Sequence, residues 1–206
     1  MAEQEVAAHK KGAQRTGATV VFLDETGFSQ RPSVRSSWAP KGQTPVLREP
    51  FNWKRLSAIG AVAWRPGQGP TRLFLSWRPG SVDTEKVVAF LRSLRRHIRG
   101  KVVLLWDGLG AHRSRQVKQY VVNNQHWLRA ERLPAYAPEL NPVEGLWAVL
   151  SNRHLANYLP DSLDQLGEQL RRSIRRIRRN DTIGIHFIQH AGLLSQRQCL
   201  QLCEAQ

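Results

Sequence analysis

The chain has little of three features that would place it in other protein classes. Its two cysteines are too few for a disulfide framework, so a reducing compartment is expected. No apolar stretch approaches the ~18 residues that a membrane-spanning helix needs, and the N-terminal residues lack the apolar centre of a signal peptide. A phosphate-binding glycine loop, a nucleotide fingerprint and a Ser-His-Asp set are also missing. The sequence therefore argues against a membrane or secreted protein and against a nucleotide-binding or serine-hydrolase site.

Acidic residues are scarce as well. Asp and Glu number 16 against 31 Lys and Arg, which gives a formal net charge of +15 over 206 residues. An excess of this size favours a polyanionic partner, above all nucleic acid, over an ordinary basic surface. The length suits one domain, or a domain with an appendage, that has a proper hydrophobic core.

Apolar runs and helical periods alternate along the chain. The apolar runs predict five strands, the second and third forming a hairpin, at 18–25, 56–64, 71–77, 101–107 and 127–134. Amphipathic periods predict helices at 84–98, at 114–124, from 141 to about 158, and from Ser162 onwards. This order resembles that of the ribonuclease-H-like, or retroviral-integrase-like, α/β fold. That fold has a five-stranded mixed sheet with flanking helices, and its first and fourth strands are adjacent at the centre.

Three acidic residues stand where such a fold would bring them together. Asp24 ends the apolar run TVVFLDE, and Asp107 ends KVVLLWD. Glu144 lies on the helix predicted from 141 to about 158. If the two runs are neighbouring parallel strands, both Asp side chains emerge at the edge where open α/β sheets bind their ligands. Carboxylate oxygens suit Mg²⁺ or Mn²⁺, and two such ions about 3.5–4 Å apart can support phosphodiester cleavage.

Each acid also has a simpler interpretation. Asp24 could begin a turn, and Asp107 is followed by glycine in a favoured turn dipeptide. Asn141 and Glu144 have the spacing of a capping box, in which the glutamate returns a hydrogen bond to the cap residue. Taken together, in a chain this basic, the three favour a metal site. Glu25 is given no role, because strand alternation points it to the face opposite Asp24.

Four blocks of the sequence carry a family resemblance: LDETGF, WAPKGQTP, LLWDGLGAH and LPAYAPELNPVEGLW. In this order they resemble the signature blocks of the DDE transposases of bacterial insertion sequences related to the mariner superfamily. The resemblance implies a metal-dependent endonuclease that cuts DNA at transposon ends and transfers the strand into target DNA. It implies that Asp24, Asp107 and Glu144 are catalytic and hold two Mg²⁺ or Mn²⁺ ions.

Other positions match or depart from the family pattern. His112 matches a histidine that the family often carries after the second Asp, and Asn141 belongs to the last block. Both are expected to shape the site. Gly108 stands where the family commonly has Asn. Two alternatives stay open: an inactive or domesticated DNA-binding relic of a transposase, and an RNase H-type nuclease.

The resemblance also implies a domain organisation. It predicts a linker or truncated N-terminal remnant over 1–17, a DDE catalytic domain over 18–190 with an inserted loop around 29–55, and a C-terminal tail or helix over 191–206. The implied partners are double-stranded DNA, a second copy of the chain held through the inserted loop, and a separately encoded helix-turn-helix subunit. The implied location is the cytoplasm, in association with the nucleoid.

Basic and aromatic residues suggest where DNA would bind. The last long helix presents an arginine face expected to contact phosphates, formed by Arg171, Arg172, Arg175, Arg176 and Arg179. Trp38 and Trp53, in the inserted loop, are candidates for stacking on bases.

A soft-ligand pattern lies near the C-terminus. His186 and His190, and likewise Cys199 and Cys203, are four residues apart and could hold zinc. The same spacing arises by chance on a helix face, so the zinc hypothesis depends on two helices converging.

Overall fold

The structure, a computed structural model, describes residues 2–31, 33–48, 54–134 and 137–204. One mixed sheet contains β1 (Thr19–Ser29), β2 (Arg55–Arg65), β3 (Gln68–Pro79), β4 (Val102–Trp106) and β5 (Leu128–Arg132). The strand order is β3-β2-β1-β4-β5. The first three strands pair antiparallel, and β1, β4 and β5 pair parallel. The first and fourth strands are thus neighbours at the centre, as the ribonuclease-H-like fold predicts.

Helices cover both faces of the sheet. They are α1 (Ala2–Thr16), α2 (Thr84–His97), α3 (Arg115–Asn123), α4 (Val143–Val149), α5 (Leu163–Ile177), α6 (Ile183–His190) and α7 (Gln196–Glu204). Alternation along β1 sends Val20 and Phe22 into a core with α1 and α4 to α7. Val21 and Leu23 enter a second core with α2 and α3. Side chains one residue apart on β1 therefore face different helical layers.

Two helices begin with a capping side chain. A side-chain oxygen of Asp83 accepts from the backbone N–H of Lys86 at 2.9 Å, and the Ser162 hydroxyl accepts from that of Gln165 at 3.1 Å. Each bond satisfies an orphan donor of the first helical turn.

The helix expected from 141 to about 158 is shorter than its pattern. α4 ends at Val149 and continues as one π-helical turn over Leu150–His154. Helical structure ends at Leu155, and Asn157 then takes a left-handed conformation with φ 55°. The apolar period continues through this stretch, so periodicity alone extends the helix too far.

Residues 1–17, expected to be a linker or a truncated N-terminal remnant, mostly form the helix α1. Val6 and Ala13, two turns apart, are buried against the sheet. Lys10 lies over the ring of Trp64 at 5.7 Å, and its ammonium donates to a backbone carbonyl after α6 at 2.6 Å. A lysine stem provides part of the packing surface, so a search for apolar periodicity does not detect the helix.

The loop after β1 is fastened at its base and exposed beyond it. Asn157 exchanges two side-chain hydrogen bonds with the backbone of Arg35, both at 2.9 Å, and its own N–H donates to the carbonyl of Ser33 at 3.1 Å. Further along the loop, Trp38 is 100% exposed. Trp53 lies outside the described residues.

Strand β3 is an edge of the sheet, and a helix residue occupies part of that edge. The guanidinium of Arg178, at the end of α5, donates to the carbonyl of Leu73 through two nitrogens, at 2.7 and 3.0 Å. Of the helices described, none is both long enough and apolar enough to cross a bilayer.

Candidate active site

The two central strands bring Asp24 and Asp107 to the same level of the sheet. Parallel pairing of β1 with β4 ends at Phe22 and Leu105, and the two Asp residues each lie two positions further along. β1 itself continues to Ser29, paired with β2 alone. Asp24 therefore does not begin a turn. It lies within a strand, at the point where the parallel neighbour ends.

Asp24 is partly buried beneath the indole of Trp147. The indole Nε1 donates to Asp24 Oδ2 at 2.8 Å. Burial raises the pKa of Asp24 to about 7, the Trp147 hydrogen bond opposes this shift, and the charge of Glu144 adds to it. The fold thus holds a carboxyl group where its anion is poorly solvated and faces a second carboxylate.

Glu144 reaches this position because α4 does not use it as a cap. In a capping box the Glu144 carboxylate would accept from the backbone N–H of Asn141. That N–H instead donates to the carbonyl oxygen of Pro138 at 2.9 Å. The side-chain oxygen of Asn141 accepts instead from Val143 N–H at 3.2 Å. Asn141 therefore fixes the start of α4, while the exposed Glu144 carboxylate is left to act on Asp24.

A glycine on β2 makes room for the indole. Gly60 pairs with Asp24 across the β1–β2 ladder. A Cβ atom on Gly60 would lie 2.8 Å from Cζ2 of Trp147, closer than real contacts allow. The indole therefore packs directly on the β2 backbone, which holds its N–H toward Asp24.

Asp107 is fixed by the turn that follows β4. Its Oδ1 accepts from Leu109 N–H at 2.9 Å and lies 3.0 Å from Nδ1 of His112. The bond from His112 holds the pKa of Asp107 below its ordinary value, against the opposing effect of partial burial. The turn interpretation and the site interpretation of Asp107 are thus compatible. Gly108 is not sterically required, since a Cβ there would meet Arg132 at an ordinary 3.9 Å.

His112 joins Asp107 to Glu25, the neighbour of Asp24. Its Nε2 lies 2.8 Å from Glu25 Oε1, and its ring stacks on Trp106 with centroids 4.3 Å apart. Burial alone lowers the pKa of His112, but hydrogen bonds to Asp107 and Glu25 outweigh burial and raise it to about 9. The buried imidazole is therefore cationic at neutral pH, with one carboxylate at each ring nitrogen. Glu25 Oε2 is buried without a hydrogen-bond partner among the described residues.

The site residues form two neighbouring groups in the structure: Asp24 with Glu144, and Asp107 with Glu25 and His112. Potential ligand atoms of Glu25, Asp107 and His112 lie within 4.8 Å of one another, whereas Asp24, Asp107 and Glu144 are not such a set among the described residues. The carboxylate oxygens are donors that fit a hard divalent cation, whereas the protonated His112 ring has no free lone pair to offer one.

The sequence did not single out two residues of this arrangement. Glu25 was dismissed on strand alternation, which is correct about its face, but His112 reaches that face from the turn over Gly110–Arg113. Trp147 is the last residue of the fourth sequence block. Its position three residues after Glu144 on one helix could have shown that both reach Asp24.

The sequence profile described as "DDE superfamily endonuclease" matches residues 19–167, which is most of the chain and includes all three predicted acids. The chain belongs to the DDE superfamily endonuclease family. The family resemblance of the four sequence blocks is thereby confirmed.

One sequence relative and two solved structures are similar to this DDE endonuclease over most of its length. A protein from Shigella sonnei, "Insertion element IS630 uncharacterized 39 kDa protein", is 24% identical over 173 residues, covering 82% of this chain and 49% of the relative. The Mos1 strand transfer complex superposes with a TM-score of 0.62 at 20% identity, covering 98% of this chain and 58% of that one. The Mos1 mariner paired end complex with Mn superposes with a TM-score of 0.59 at 21% identity, covering 98% and 59%. This chain thus spans about half the length of its insertion-element relative.

The arginine face of the endonuclease divides into a groove and a packed margin. A surface groove of about 370 Å³ beside α5 is lined by His154, Gln169, Arg172, Ser173, Arg175, Arg176 and Arg179. Arg171 lies instead over the ring of Trp77, 5.9 Å from its centroid. Four of the five arginines predicted to bind DNA therefore share one groove.

Proposed function

We propose that this DDE endonuclease is the catalytic part of a DNA transposase. It hydrolyses phosphodiester bonds at transposon ends and joins the freed 3′-hydroxyl to target DNA. The observation that carries this proposal is the placement of Asp24 and Asp107 at matched levels of the parallel central strands, with Glu144 acting on Asp24 from α4. The relatives support it, since one is an insertion-element protein and another is a strand transfer complex.

Asp24, Asp107 and Glu144 would hold the divalent cations, with Mg²⁺ or Mn²⁺ as the fitting ions and two as the proposed number. A bound pair of such ions activates the attacking oxygen and stabilises the leaving oxygen. The site's own charges support the assignment, because Asp24 faces another carboxylate in a partly buried position and gains from a neighbouring cation. The Mos1 mariner paired end complex is a solved structure with Mn.

The surrounding residues position the acids. Trp147 orients one oxygen of Asp24, while Asn141 sets the first turn of α4 and so the place of Glu144. His112 holds the Asp107 carboxylate at a fixed orientation relative to β1. Preorganised ligands of this kind reduce the rearrangement that metal binding and catalysis require.

DNA would lie along the arginine groove beside α5. Each phosphate neutralised there adds about 0.9 to the slope of log affinity against log salt. Arg172, Arg175, Arg176 and Arg179 can contribute in this way, and Arg171 can add at the margin. The DNA substrate agrees with the cytoplasmic, nucleoid-associated location expected from the sequence.

The loop after β1 is the proposed contact with a second copy of the chain. Its base is fastened to the segment after α4, and its far part exposes apolar side chains such as Trp38. A helix-turn-helix subunit or module that recognises the transposon ends completes the proposed assembly.

The test is cleavage of labelled duplex DNA that carries the transposon ends, with Mn²⁺ or Mg²⁺. We expect cleavage by the unaltered chain and a loss of about a hundredfold to a thousandfold in Asp107→Asn, since removing a central electrostatic group typically has effects of this size. Asp181→Asn, which removes an exposed carboxylate far from these strands in sequence, is the matched control and should cut normally.

Two other outcomes would refute the proposal. DNA binding without cleavage by the unaltered chain would indicate a relic that binds through its arginines. Cleavage of RNA–DNA hybrids in preference to duplex DNA would indicate an RNase H-type nuclease.

A further inference from the structure

Two C-terminal helices bring three soft metal ligands together, away from the carboxylates. His186 lies on α6, and Cys199 and Cys203 lie one turn apart on α7. Their potential ligand atoms all lie within 4.8 Å of one another. The convergence of two helices is the condition that sequence spacing alone could not meet. His190, one turn after His186, is not in this set.

The histidine is oriented as a ligand should be. Nδ1 of His186 lies 2.9 Å from the carbonyl oxygen of Thr182. A carbonyl can only accept, so Nδ1 carries the proton and Nε2 of the neutral ring has a free lone pair. Histidines that bind metals almost always donate their other N–H to a carbonyl, a carboxylate or water in this way. The exposed position of His186 leaves that nitrogen open to an incoming ion.

The cysteines suit a shared ion better than a bond to each other. Both are free thiols, with Cys199 buried and Cys203 partly buried. Residues four apart on a helix have Cβ atoms about 5–6 Å apart, whereas a disulfide needs about 3.5–4.5 Å. Two thiolates about 2.3 Å from one zinc ion would have sulfur atoms just under ~4 Å apart, which is within the spacing observed here.

We propose that His186, Cys199 and Cys203 bind one Zn²⁺ ion, with water as the fourth ligand. Two thiols give up their protons, and the set of one nitrogen and two sulfurs selects zinc over Mg²⁺ or Mn²⁺. The ion fastens α7 to α6. It stabilises the layer behind α4, because Phe187 on α6 packs so closely on α4 that a Cβ at Gly145 would lie 2.6 Å from its ring.

Cobalt is the probe, because thiolate–cobalt bonds absorb in the near ultraviolet and tetrahedral cobalt gives intense visible bands. The reduced, metal-free full chain is titrated with Co²⁺, and Zn²⁺ is then added. We expect both absorptions to saturate at one equivalent of Co²⁺ per chain. Added Zn²⁺ should displace the cobalt and raise the midpoint temperature of thermal unfolding. The carboxylate site contains no sulfur and cannot give the near-ultraviolet band.

Matched variants locate the ion. Cys203→Ser and His186→Ala should each weaken zinc binding by at least about tenfold, the effect typical of losing even a supporting group. His190→Ala, on the same helix, should bind as the unaltered chain does. Cys199→Ser is less informative because that thiol is buried and its loss can unfold α7. The partly exposed Cys203 and the exposed His186 therefore carry the test.

Three results would overturn the zinc site. They are the absence of a sulfur–cobalt band in the reduced chain, equal zinc affinity in His186→Ala and the unaltered chain, and a Cys199–Cys203 disulfide that forms readily in air in place of metal binding. The titration involves no DNA and no cleavage, so its failure leaves the proposed nuclease activity untouched.

Discussion

Replacing Asp24 with asparagine should stabilise the metal-free protein at about pH 8, although Asp24 is a proposed catalytic residue. The reason is the environment of the carboxyl group. It is partly buried and faces Glu144, and these effects raise its pKa from 3.8 to about 7. Asparagine keeps an oxygen that can accept from the Trp147 indole, while it removes the poorly solvated charge.

The size of the effect follows from the pKa. Each tenfold change in an ionisation constant corresponds to about 1.4 kcal/mol, so ionised Asp24 destabilises the folded state by up to about 4 kcal/mol. Below the ordinary pKa of 3.8 the group is protonated in both states and has no effect. As the pH rises toward 7 the unfolded chain has lost the proton that the folded chain retains, so the stability of the unaltered protein falls relative to the variant.

The assay is urea unfolding in a metal chelator, repeated between about pH 4 and pH 8. The difference in unfolding free energy between Asp24→Asn and the unaltered chain isolates Asp24, because the other titrating groups are common to both. Asp181→Asn, at an exposed position, should differ from the unaltered chain by less than about 0.5 kcal/mol at every pH. Adding Mn²⁺ at about a hundred times its dissociation constant should stabilise the unaltered chain by about 3 kcal/mol and the Asp24→Asn variant by much less.

A flat difference between pH 4 and pH 8 would refute this account of Asp24. Equal stabilisation of both proteins by Mn²⁺ would refute its role as a metal ligand. The two results are independent, because the pH dependence of stability reflects the burial of Asp24 and the Mn²⁺ effect reflects metal coordination by Asp24.

Four further substitutions test other contacts. Gly60→Ala should displace the Trp147 indole and lower DNA cleavage by roughly a hundredfold through misplacement, at a cost of about 1–3 kcal/mol, measured by cleavage kinetics and urea unfolding. Arg178→Ala should lower stability by about 2 kcal/mol and leave the salt slope of DNA binding unchanged, whereas Arg175→Ala should reduce that slope by about 1 with little effect on unfolding. Asn157→Ala should release the base of the loop after β1, seen as faster limited proteolysis there and a loss of about 1–2 kcal/mol, while proteolysis no faster than in the unaltered chain would contradict it.

The sheet could be derived from the sequence because its strands are apolar runs whose order leaves few topologies. Runs such as KVVLLWD fit strands buried on both faces, and a crossover helix requires parallel pairing. Helix α1 was not predicted, because its inner face includes Lys10. The aliphatic stem of Lys10 packs on the protein while its ammonium donates to a backbone carbonyl. Periodicity also could not detect the π-helical turn over Leu150–His154, because it does not interrupt the apolar pattern.

The sequence predicts the individual acids of the candidate site, but not how the structure groups them. Strand ends and spacing point to Asp24 and Asp107, since each follows an apolar run. The contact of His112 with Glu25 depends on a short turn that brings the ring back beneath the end of β4. No local pattern specifies that approach, because it joins residues 87 positions apart. Such contacts arise from tertiary packing and are not visible as a period or a propensity.

The guanidinium of Arg178 on the Leu73 carbonyl has a consequence for how the molecule behaves in solution. An open border strand of 12 residues is a template on which another extended chain can add, the first step toward insoluble assemblies. The Arg178 guanidinium already occupies one carbonyl acceptor on that edge. Another chain would have to displace it before pairing along the strand. By occupying this acceptor, Arg178 works against edge-to-edge aggregation at high protein concentration.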